Sequence, residues 1–526
     1  MTFTRIALAA ALAFAGLAAH AQDLPPVTPN PAEAPPVPPA TATPAVTSAV
    51  PSQSNIENSV VKIFATLSRP DPYKPWTKAS PVDASGSGVV IEGKRIITNA
   101  HVVGYASQVQ VQANQSGDKV TAKVVAIARG IDLAVLELED ASFFDKRKPL
   151  ERAAALPAVR EQVFAYGYPV GGAALSITKG IVSRIEFANY GYPTSGLRIQ
   201  VDAPINPGNS GGPVIAGDKM IGLAFGGVVN TQNIGYIIPN EEIELFLRDV
   251  ADGRYDGKPT LQDDLQALEN PAMRDYLKLT PAVTGAVVRR PAFSDASYPL
   301  KEWDVITHIG DTPIDNQGMI RTGQNLHVRF QYAVPRVAAG GKVPLTIVRA
   351  GKTMKVQVPV SVQRKLLVSS LDGQYPSYFV YGPIVFTRVT AEFVAPFAGN
   401  VQAMNALTLT SSPLVTRRGE YATAEREEMV AISAPFFAHR SMNGYGNRFG
   451  AVIQSVGGTP VKSLAHLVTL LRDAKEELIT LRFEMRSAET MVVRRKEMVE
   501  ITEKILDDNS IRQQGSSDMM AIWKGK

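Results

Sequence analysis

Residues 202–213 read DAPINPGNSGGP, and this stretch decides how the rest of the chain is interpreted. Ser210 follows Asn209 and precedes two glycines, with prolines on both sides of the run. Glycine lets the backbone turn sharply and lets a substrate approach the main chain. It also leaves amide groups uncovered, as an oxyanion hole requires. The stretch is either a plain Gly-rich turn or the site of a serine nucleophile, and the residues around it decide between the two.

A serine nucleophile needs a base, and the base needs an acid that orients it. Of the six histidines, only His101 precedes Ser210 outside the N-terminal leader. The aspartates between them are Asp118, Asp132, Asp140, Asp145 and Asp202. Only Asp132 begins an apolar strand, in DLAVLEL, where a half-buried carboxylate can hold an imidazole in one tautomer. The order His101, Asp132, Ser210 therefore predicts a catalytic triad, with a core histidine, a strand-end aspartate and a turn serine as the alternative.

Three blocks around these residues resemble the catalytic blocks of HtrA/DegP-type serine proteases. They are residues 98–103 (TNAHVV), 132–136 (DLAVL) and 208–213 (GNSGGP). Residues 85–91 (SGSGVVI) and 235–239 (GYIIP) match two further blocks. The resemblance implies an endopeptidase with a chymotrypsin-like double β-barrel and a trimer-based homo-oligomer, with the hexamer as a larger form. It also implies unfolded or misfolded polypeptides as substrates, in protein quality control.

Two weaker blocks, residues 268–274 (LENPAMR) and 376–379 (PSYF), resemble the plant Deg-type branch, which carries two PDZ-like modules. An internal repeat supports two modules, because VITHIGDTPI at 305–314 and VIQSVGGTPV at 452–461 share five of ten residues. After the second copy, Ser463 is suited to cap a helix with an apolar face, and a strand is predicted at 478–483.

The expected architecture is mainly β, a double-barrel protease domain followed by two PDZ-like α/β modules. Many short apolar runs separated by turns are typical of an all-β barrel or sandwich, and the family resemblance implies a pair of barrels. A closing helix is predicted at 241–250. The predicted segments are a signal peptide at 1–21, a Pro/Ala-rich disordered linker at 22–54, a trypsin-like domain at 55–255, a first module at 258–367, a second module at 368–508 and a weakly structured C-terminal tail at 509–526.

Residues 1–21 have a positive start, an apolar core and an AHA cleavage site, as secretory signals do. The alternative, a membrane anchor, needs about 20 apolar residues, more than this run contains. The expected location is therefore periplasmic or secreted, with no stable membrane anchor. The chain has no cysteine, which excludes disulfides, thiol catalysis and Cys-type zinc sites. A net charge of +5 without a basic block gives no indication of a nucleic-acid partner.

In the expected mechanism His101 accepts the proton of Ser210 as it attacks a peptide carbonyl, and Asp132 orients His101. The oxyanion hole is assigned to the backbone of Gly208, Asn209 and Ser210, with the Gly208 and Ser210 N–H groups as donors. No metal or cofactor is required.

Chymotrypsin-like proteases place the residue six before the serine at the floor of the specificity pocket, which here is Pro204. Leu223, Ala224 and Phe225 are the expected walls, so uncharged residues should be preferred at the cleavage site.

Two other functions fit parts of the pattern. Residues 208–212 match the G-x-S-x-G nucleophile elbow of α/β-hydrolases, but that fold needs a helix after the serine and its histidine later in the chain. A holdase chaperone or a peptide-binding scaffold on a gated or silent protease fold is the non-enzymatic alternative, and the complete triad argues against it.

The two modules are expected to differ in peptide binding. PDZ domains hold a C-terminal carboxylate in a glycine-containing loop. In the first module the corresponding residues, 259–264, contain no glycine and include Asp263 and Asp264. In the second module, residues 381–386 (YGPIVF) come closer to the requirement. The second module is therefore the expected peptide binder, and the first is expected to serve contacts within the assembly. The alternative is that both modules only pack against neighbouring parts of the assembly.

Overall fold

The structure is a computed structural model. It describes residues 53–525 except 173, 192–193, 228–233, 324–325, 363–364 and 487–488. The predicted signal peptide, and all but the last two residues of the predicted linker, lie outside the described residues. The helices and strands below lie in one compact body, which consists of two barrels followed by a third and a fourth unit.

The first six strands close into a barrel in the order β1-β2-β3-β6-β5-β4. Buried and partly exposed residues alternate along the first strand, as expected of a barrel wall with one face on the core. The strands are β1 (Val60–Leu67), β2 (Val82–Ile91), β3 (Arg95–Thr98), β4 (Ala106–Ala113), β5 (Lys119–Ala128) and β6 (Leu133–Leu138). Helix α1 (Gln53–Ser59) precedes them, α2 (Ala100–Val103) follows β3, and a 3₁₀ turn spans Ala141–Lys146.

The next six strands close into a second barrel in the order β10-β11-β12-β9-β8-β7. They are β7 (Gln162–Gly167), β8 (Ser176–Gly191), β9 (Thr194–Val201), β10 (Pro213–Ala216), β11 (Lys219–Gly227) and β12 (Gly235–Pro239). Helix α3 (Asn240–Asp249) and a 3₁₀ turn (Val250–Asp252) close the unit, close to the predicted helix at 241–250. One buried cluster joins the two barrels, with Val89 and Ile97 from the first and Ile215 and Ile238 from the second.

A third unit follows, built on a sheet in the order β13-β14-β15-β19-β20. Its elements are β13 (Asp264–Ala267), α4 (Pro271–Tyr276), β14 (Ala286–Arg290), β15 (Val305–Ile309), β16 (Thr312–Pro313), β17 (Met319–Thr322), β18 (Leu326–Arg329), a 3₁₀ turn (Phe330–Ala333), α5 (Val334–Val337), β19 (Lys342–Arg349) and β20 (Lys352–Pro359).

The fourth unit has two sheets, β21-β22-β23 and β25-β24-β26-β27. Its elements are β21 (Tyr378–Tyr381), β22 (Ile384–Arg388), α6 (Ala391–Ala398), α7 (Val401–Leu409), α8 (Pro413–Thr416), β23 (Val430–Ile432), a 3₁₀ turn (Arg440–Met442), β24 (Ile453–Val456), β25 (Thr459–Pro460), α9 (Leu464–Asp473), β26 (Leu478–Phe483), β27 (Met491–Arg494), α10 (Arg495–Asp508) and α11 (Ser517–Trp523). None of the helices in the described residues is long and apolar enough to cross a membrane.

The sequence repeat forms the same hairpin twice. In the third unit β15 turns back into β16, and in the fourth β24 turns back into β25, each ending on a Thr-Pro pair. The Ser463 side chain caps α9 as predicted, with Oγ accepting a hydrogen bond from the His466 amide at 3.2 Å. Leu464, Leu467 and Leu471 on α9 are buried in the core.

The C-terminal residues differ from the expected weakly structured tail. The Val380 amide on β21 donates to the Gln514 carbonyl (2.7 Å), and the Ser516 amide donates to the Tyr378 carbonyl (3.0 Å). Residues 514–516 therefore extend the sheet along the outer edge of β21. Beyond them, Trp523 packs on Phe379, with ring centroids 5.0 Å apart. Apolar side chains in this segment, including the buried Met519, explain why the tail is ordered.

A loop of the first barrel, residues 68–81 between β1 and β2, packs against the fourth unit. Tyr73 lies in edge-to-face contact with Phe393, Phe397 and Phe449. Trp76 lies beside Tyr378 at a centroid distance of 6.2 Å. We call residues 68–81 the docking loop, because its aromatic rings join the first barrel to the fourth unit.

Candidate functional site

His101 and Asp132 form a close pair at one end of the first barrel. The ring nitrogen Nδ1 of His101 lies 2.7 Å from Oδ2 of Asp132, and the His101 amide donates to Oδ1 at 2.8 Å. The carboxylate thus holds both the ring and the backbone of one residue. The Asp132 side chain is 19% exposed and the His101 side chain 50% exposed. Because Nδ1 is engaged, Nε2 is the nitrogen left to accept a proton from a nucleophile.

The backbone around Asp132 is held in an unusual conformation. Its φ is +58°, in the left-handed region that aspartate tolerates better than most residues. The Asn99 side chain donates from Nδ2 to the Asp132 carbonyl (2.9 Å). Asn99 is fully buried, two residues before His101. Asn99 therefore ties the segment that carries the histidine to the segment that carries the aspartate.

Ser210 lies in the turn between β9 and β10. Within the described residues, the amides of Gly208 and Ser210 donate no hydrogen bond to the protein. The Asn209 amide donates to the Asn206 carbonyl at 3.0 Å. Asn209, which was predicted to be part of the oxyanion hole, therefore supplies no donor, while the amides of Gly208 and Ser210 are available to an oxyanion.

Two glycines let this turn approach its neighbours. Gly208 has a φ of +99°, and a Cβ atom there would lie 2.3 Å from the Tyr168 carbonyl oxygen. Gly211 has a φ of +83°, and a Cβ atom there would lie 2.2 Å from the Ser87 carbonyl and 2.3 Å from Thr98 Oγ1. Both positions therefore need glycine, for conformation and for space.

These contacts place the serine turn against the strand ends that carry the histidine. The Ser87 amide on β2 donates to the Ser210 carbonyl at 2.9 Å, and Thr98 at the end of β3 precedes α2 and His101. Among the described residues no hydrogen bond joins Ser210 Oγ to the His101 ring. The structure thus forms the histidine–aspartate pair and places the serine turn against the strand end that leads to His101. In protein structures without a substrate, catalytic hydrogen bonds are often long and form fully only in the complex.

The four residues predicted for the specificity pocket lie in different environments. Leu223 and Ala224 are fully buried in the barrel cores and cannot line an open pocket. Pro204 is exposed, as a substrate-facing residue must be. Phe225 packs between Tyr190 and Tyr236 and lines a cavity of about 990 Å³ that also reaches Asp132. The wall assignments of Leu223 and Ala224 are therefore wrong, and Pro204 and Phe225 stay predictions.

Tyr190 was not identified from the sequence. Its hydroxyl donates to the Leu197 carbonyl at 2.5 Å, and it lines the same cavity as Asp132. Burial, reinforced by the negative charges of Glu242 and Asp132, raises the pKa of Tyr190 well above its usual value. The side chain therefore stays neutral beside the aspartate.

Ser87 and Asn99, which hold the site together, were not predicted either. Both lie inside the blocks at 85–91 and 98–103, but only the family resemblance marked those blocks. Ser87 is fully buried although it stands among glycines, a setting that in sequence suggests an exposed linker. No group of three or more His, Cys, Asp or Glu side chains in the described part of the chain is arranged to hold a metal ion.

The peptide-binding expectations for the two modules also change. In the first, the Asp263 side chain accepts hydrogen bonds from the Tyr298 hydroxyl and the Ala292 amide, both at 2.9 Å, and Asp264 pairs with Arg289 and Arg290. Neither acid is left free to repel a carboxylate. Burial raises the pKa of the Asp263 carboxyl despite its hydrogen bonds.

In the second module, Gly382 and Pro383 form the turn of the hairpin between β21 and β22. The Gly382 amide donates to Thr502 Oγ1 at 2.9 Å. Residues 381–386 are therefore not a carboxylate-binding loop. The edge of β21 that does not pair with β22 is covered by residues 514–516.

Two family comparisons agree with this geometry. Residues 86–223 match the trypsin-like peptidase domain family, and residues 368–518 match the PDZ domain family. The first match spans His101, Asp132 and Ser210, and the second spans the fourth unit.

Similar proteins extend over most of the chain. Protease Do-like 2, chloroplastic, from Arabidopsis thaliana is 34% identical over 470 residues, which is 88% of this chain and 75% of that protein. Protease Do-like 4, mitochondrial, from the same plant is 33% identical over 453 residues, 86% of this chain and 83% of that protein. Among solved structures, HtrA-type protease AlgW with decapeptide is 24% identical, with a TM-score of 0.46, and the match covers 59% of this chain and 97% of that one.

Proposed function

Since this chain belongs to the HtrA/Deg family of Do-like serine proteases, we propose that Ser210, His101 and Asp132 are its catalytic triad. The observation that carries the assignment is the doubly hydrogen-bonded His101–Asp132 pair beside a serine turn with two free amides. The chain is a serine endopeptidase. What we propose is the catalytic role of each of these three residues.

In the proposed reaction Ser210 Oγ attacks the carbonyl carbon of a peptide bond, and His101 Nε2 accepts the hydroxyl proton. Asp132 holds the ring in the tautomer with hydrogen on Nδ1 and stabilises the imidazolium. The Gly208 and Ser210 amides donate to the oxyanion as it forms. His101 then protonates the leaving amine, and a water molecule hydrolyses the acyl-enzyme by the same steps. Losing one oxyanion donor typically costs about 10²–10³ in kcat.

The proposed substrates are unfolded or misfolded polypeptides, in protein quality control. Pro204 at the expected pocket floor brings no carboxylate to pair with a cationic side chain, so cleavage should follow uncharged residues. Mass-spectrometric mapping of cut sites in casein tests this preference, and cuts mostly after Lys and Arg would contradict it.

We further propose that the protein is exported to the periplasm or secreted, and assembles as a trimer-based homo-oligomer, with a hexamer as the larger form. Export is supported by the sequence of residues 1–21, whereas the two plant relatives above carry organellar names. N-terminal sequencing of the mature protein after cell fractionation tests export. Analytical sedimentation tests the assembly, and a single monomeric species at micromolar concentration would contradict it.

The decisive experiment is degradation of casein by the mature chain and by four variants. Ser210→Ala and His101→Ala should abolish it, and Asp132→Asn should lower kcat by about 10⁴-fold, because an amide favours the wrong tautomer. Ser107→Ala is the matched control, since Ser107 is an exposed serine of the first barrel bonded only to the Thr66 carbonyl. Full activity in Ser210→Ala would refute the triad.

A fluorophosphonate label, which bonds covalently to activated serines, separates a gated protease from a silent one. Labelling at Ser210 without casein cleavage would point to a gated protease. The holdase or scaffold alternative requires that the chain is never labelled, does not cleave casein, and still keeps an unfolded protein from aggregating.

A further inference from the structure

We propose that Ser87 is a positioning residue that sets the backbone of Gly208 and Ser210 in the conformation that leaves both amides free. The proposal rests on the proposed function of Ser210, and it adds a residue on the opposite barrel that the catalytic roles above do not include. Ser87 acts through the backbone that it holds and does not touch the substrate.

All the polar groups of Ser87 are engaged, and the residue is fully buried. Its hydroxyl donates to the Gly208 carbonyl at 2.7 Å and accepts from the Tyr168 amide at 2.8 Å. Its amide donates to the Ser210 carbonyl at 2.9 Å, and its carbonyl accepts from Thr98 Oγ1 at 2.7 Å. Ser87 therefore connects three segments: the serine turn, Tyr168 directly after β7, and Thr98 at the end of β3, which leads to His101.

The Ser87 hydroxyl holds one end of the peptide group between Gly208 and Asn209. The carbonyl of Gly208 and the amide of Asn209 belong to the same planar peptide group. Ser87 Oγ holds the carbonyl, and the Asn206 carbonyl holds the amide at 3.0 Å. Rotation of this plane would require that both hydrogen bonds break.

The two flanking planes are held through their carbonyls as well. The Pro207 carbonyl accepts from the Val170 amide at 3.0 Å, and the Asn209 carbonyl accepts from the Gly212 amide at 2.9 Å. In a trans peptide the N–H points opposite to the C=O. Fixing these carbonyls therefore directs the Gly208 and Ser210 amides to the opposite side of the turn, where they remain free.

Without the Ser87 hydroxyl, this arrangement loses its central restraint. The Gly208 carbonyl and the Tyr168 amide would both be left without a partner in a buried place, which is unfavourable for backbone groups. Glycine rotates more freely than any other residue, so the plane that follows Gly208 can turn to find a new partner. Such a rotation changes the direction of the donors around Ser210, while the histidine and the aspartate stay in place.

The test compares Ser87→Ala with Ser59→Ala in the full chain. Ser59 is the matched control, because it is also buried, at the end of α1 directly before the first barrel, with Oγ donating to the Lys148 carbonyl at 2.6 Å. Both variants lose a buried hydroxyl that is bonded to backbone groups. Only Ser87 contacts the serine turn.

Two measurements separate positioning from stability. The first is kcat and KM on a fluorogenic peptide taken from a casein cleavage site. The second is the affinity for a tripeptide aldehyde of uncharged aliphatic residues. In the aldehyde complex Ser210 Oγ bonds to the carbonyl carbon, the C=O π bond becomes an oxyanion, and the hydroxyl proton moves to His101. The aldehyde adduct therefore probes the oxyanion hole directly.

We expect Ser87→Ala to lower kcat by about 10²–10³-fold at nearly constant KM, with a similar loss of aldehyde affinity, because only transition-state binding is affected. Ser59→Ala should keep kcat and aldehyde affinity within about twofold of wild type, even if its melting temperature falls as much as that of Ser87→Ala. Ser87→Cys keeps a weak donor and acceptor at the same position and should fall between wild type and Ser87→Ala. It is the test variant if Ser87→Ala does not fold.

The inference is overturned if Ser87→Ala keeps wild-type kcat and aldehyde affinity, or if Ser59→Ala loses as much of both. If Ser87→Ala does not fold, wild-type values in Ser87→Cys overturn it. In each of these outcomes the proposed function still stands if the wild type cleaves the peptide and Ser210→Ala does not. A wild type that neither cleaves the peptide nor binds the aldehyde would instead contradict the proposed function itself.

Discussion

Replacing Tyr73 by alanine should detach the docking loop from the fourth unit. The Tyr73 ring lies 5.4, 5.9 and 4.9 Å from the rings of Phe393, Phe397 and Phe449, at interplanar angles of 84°, 65° and 86°. Each such edge-to-face pair contributes about 0.5–1.5 kcal/mol beyond area burial. Truncating a fully buried aromatic residue costs about 3–5 kcal/mol, and Tyr73 is only partly buried. We expect a loss of about 2–4 kcal/mol in the local stability of the contact.

Hydrogen exchange of helix α6, which carries Phe393 and Phe397, is the suitable measurement, because it reports local opening of one element. A loss of 2–4 kcal/mol raises the opening constant by about 30- to 700-fold. Tyr73→Phe should have little effect, since the tyrosine hydroxyl makes only a long 3.3 Å bond to the Phe393 carbonyl. Tyr276→Ala is the control, because Tyr276 is 67% exposed and its ring packs edge-on against Trp303 in the third unit. Equal exchange of α6 in Tyr73→Ala and Tyr276→Ala would refute the docking role.

Three further predictions concern other contacts. Burial, with the nearby charge of Asp71, raises the pKa of Tyr73 to about 12, so the docking contact should weaken as the pH rises from 10 through 12; exchange of α6 measured across this range should show no such slope in Tyr73→Phe. Deleting residues 511–526 should expose the edge of β21 and cause aggregation in light scattering, and adding the same segment as a peptide, but not a scrambled one, should reduce it. Lys258→Met should lower the free energy of unfolding by about 3–5 kcal/mol, because it leaves the buried Glu242 carboxylate without its cation at 2.6 Å; in urea denaturation, the Lys258→Met/Glu242→Leu double variant should recover most of the loss.

Local pattern was sufficient to predict a β-rich domain and the order of the site residues, whereas the pair of barrels followed from the family resemblance. Alternating burial along β1 and the apolar run of β6 follow from the side-chain period of a strand. Ser463 and the leucines after it defined α9, because a cap and a 3.6-residue period are both local signals. The His101–Asp132 pair followed from residue type and order, and the structure then supplied the two hydrogen bonds.

The specificity pocket could not be predicted by counting residues. Pairing between β11 and β12 shifts register between Ala224 and Gly226, and pairing between β10 and β11 shifts between Val214 and Ile215. Each irregularity changes which side chains face the core, and a one-residue change inverts the two faces of a strand. Leu223 packs in the cluster that joins the two barrels and Ala224 packs in the core of the second barrel, so both faces of β11 are buried where a substrate-facing wall was predicted.

The second module was misjudged because the partner of β21 lies far along the chain. A glycine–proline pair after an aromatic run was interpreted as a carboxylate loop, whereas it is a hairpin turn. Nothing local indicates that Gln514 and Ser516 cover the edge of Tyr378–Tyr381. An uncovered edge exposes unpaired backbone groups, so the apolar residues at the end of the chain were the available signal that this edge is covered.

Ser87 shows why a residue that organises the site can resemble a linker in sequence. The flanking glycines are there because neighbours come close: a Cβ atom at Gly86 would lie 2.7 Å from Val102 Cγ1, and one at Gly88 would lie 2.8 Å from Ile63 Cδ1. Glycines inside a strand indicate such close approach. A hydroxyl between them then lies within reach of backbone groups on two other segments, the serine turn and the residues after β7, and a buried hydroxyl needs such partners. The repeated Ser-Gly pairs of β2 are therefore explained by the crowding around the serine turn, and flexibility is not needed to account for them.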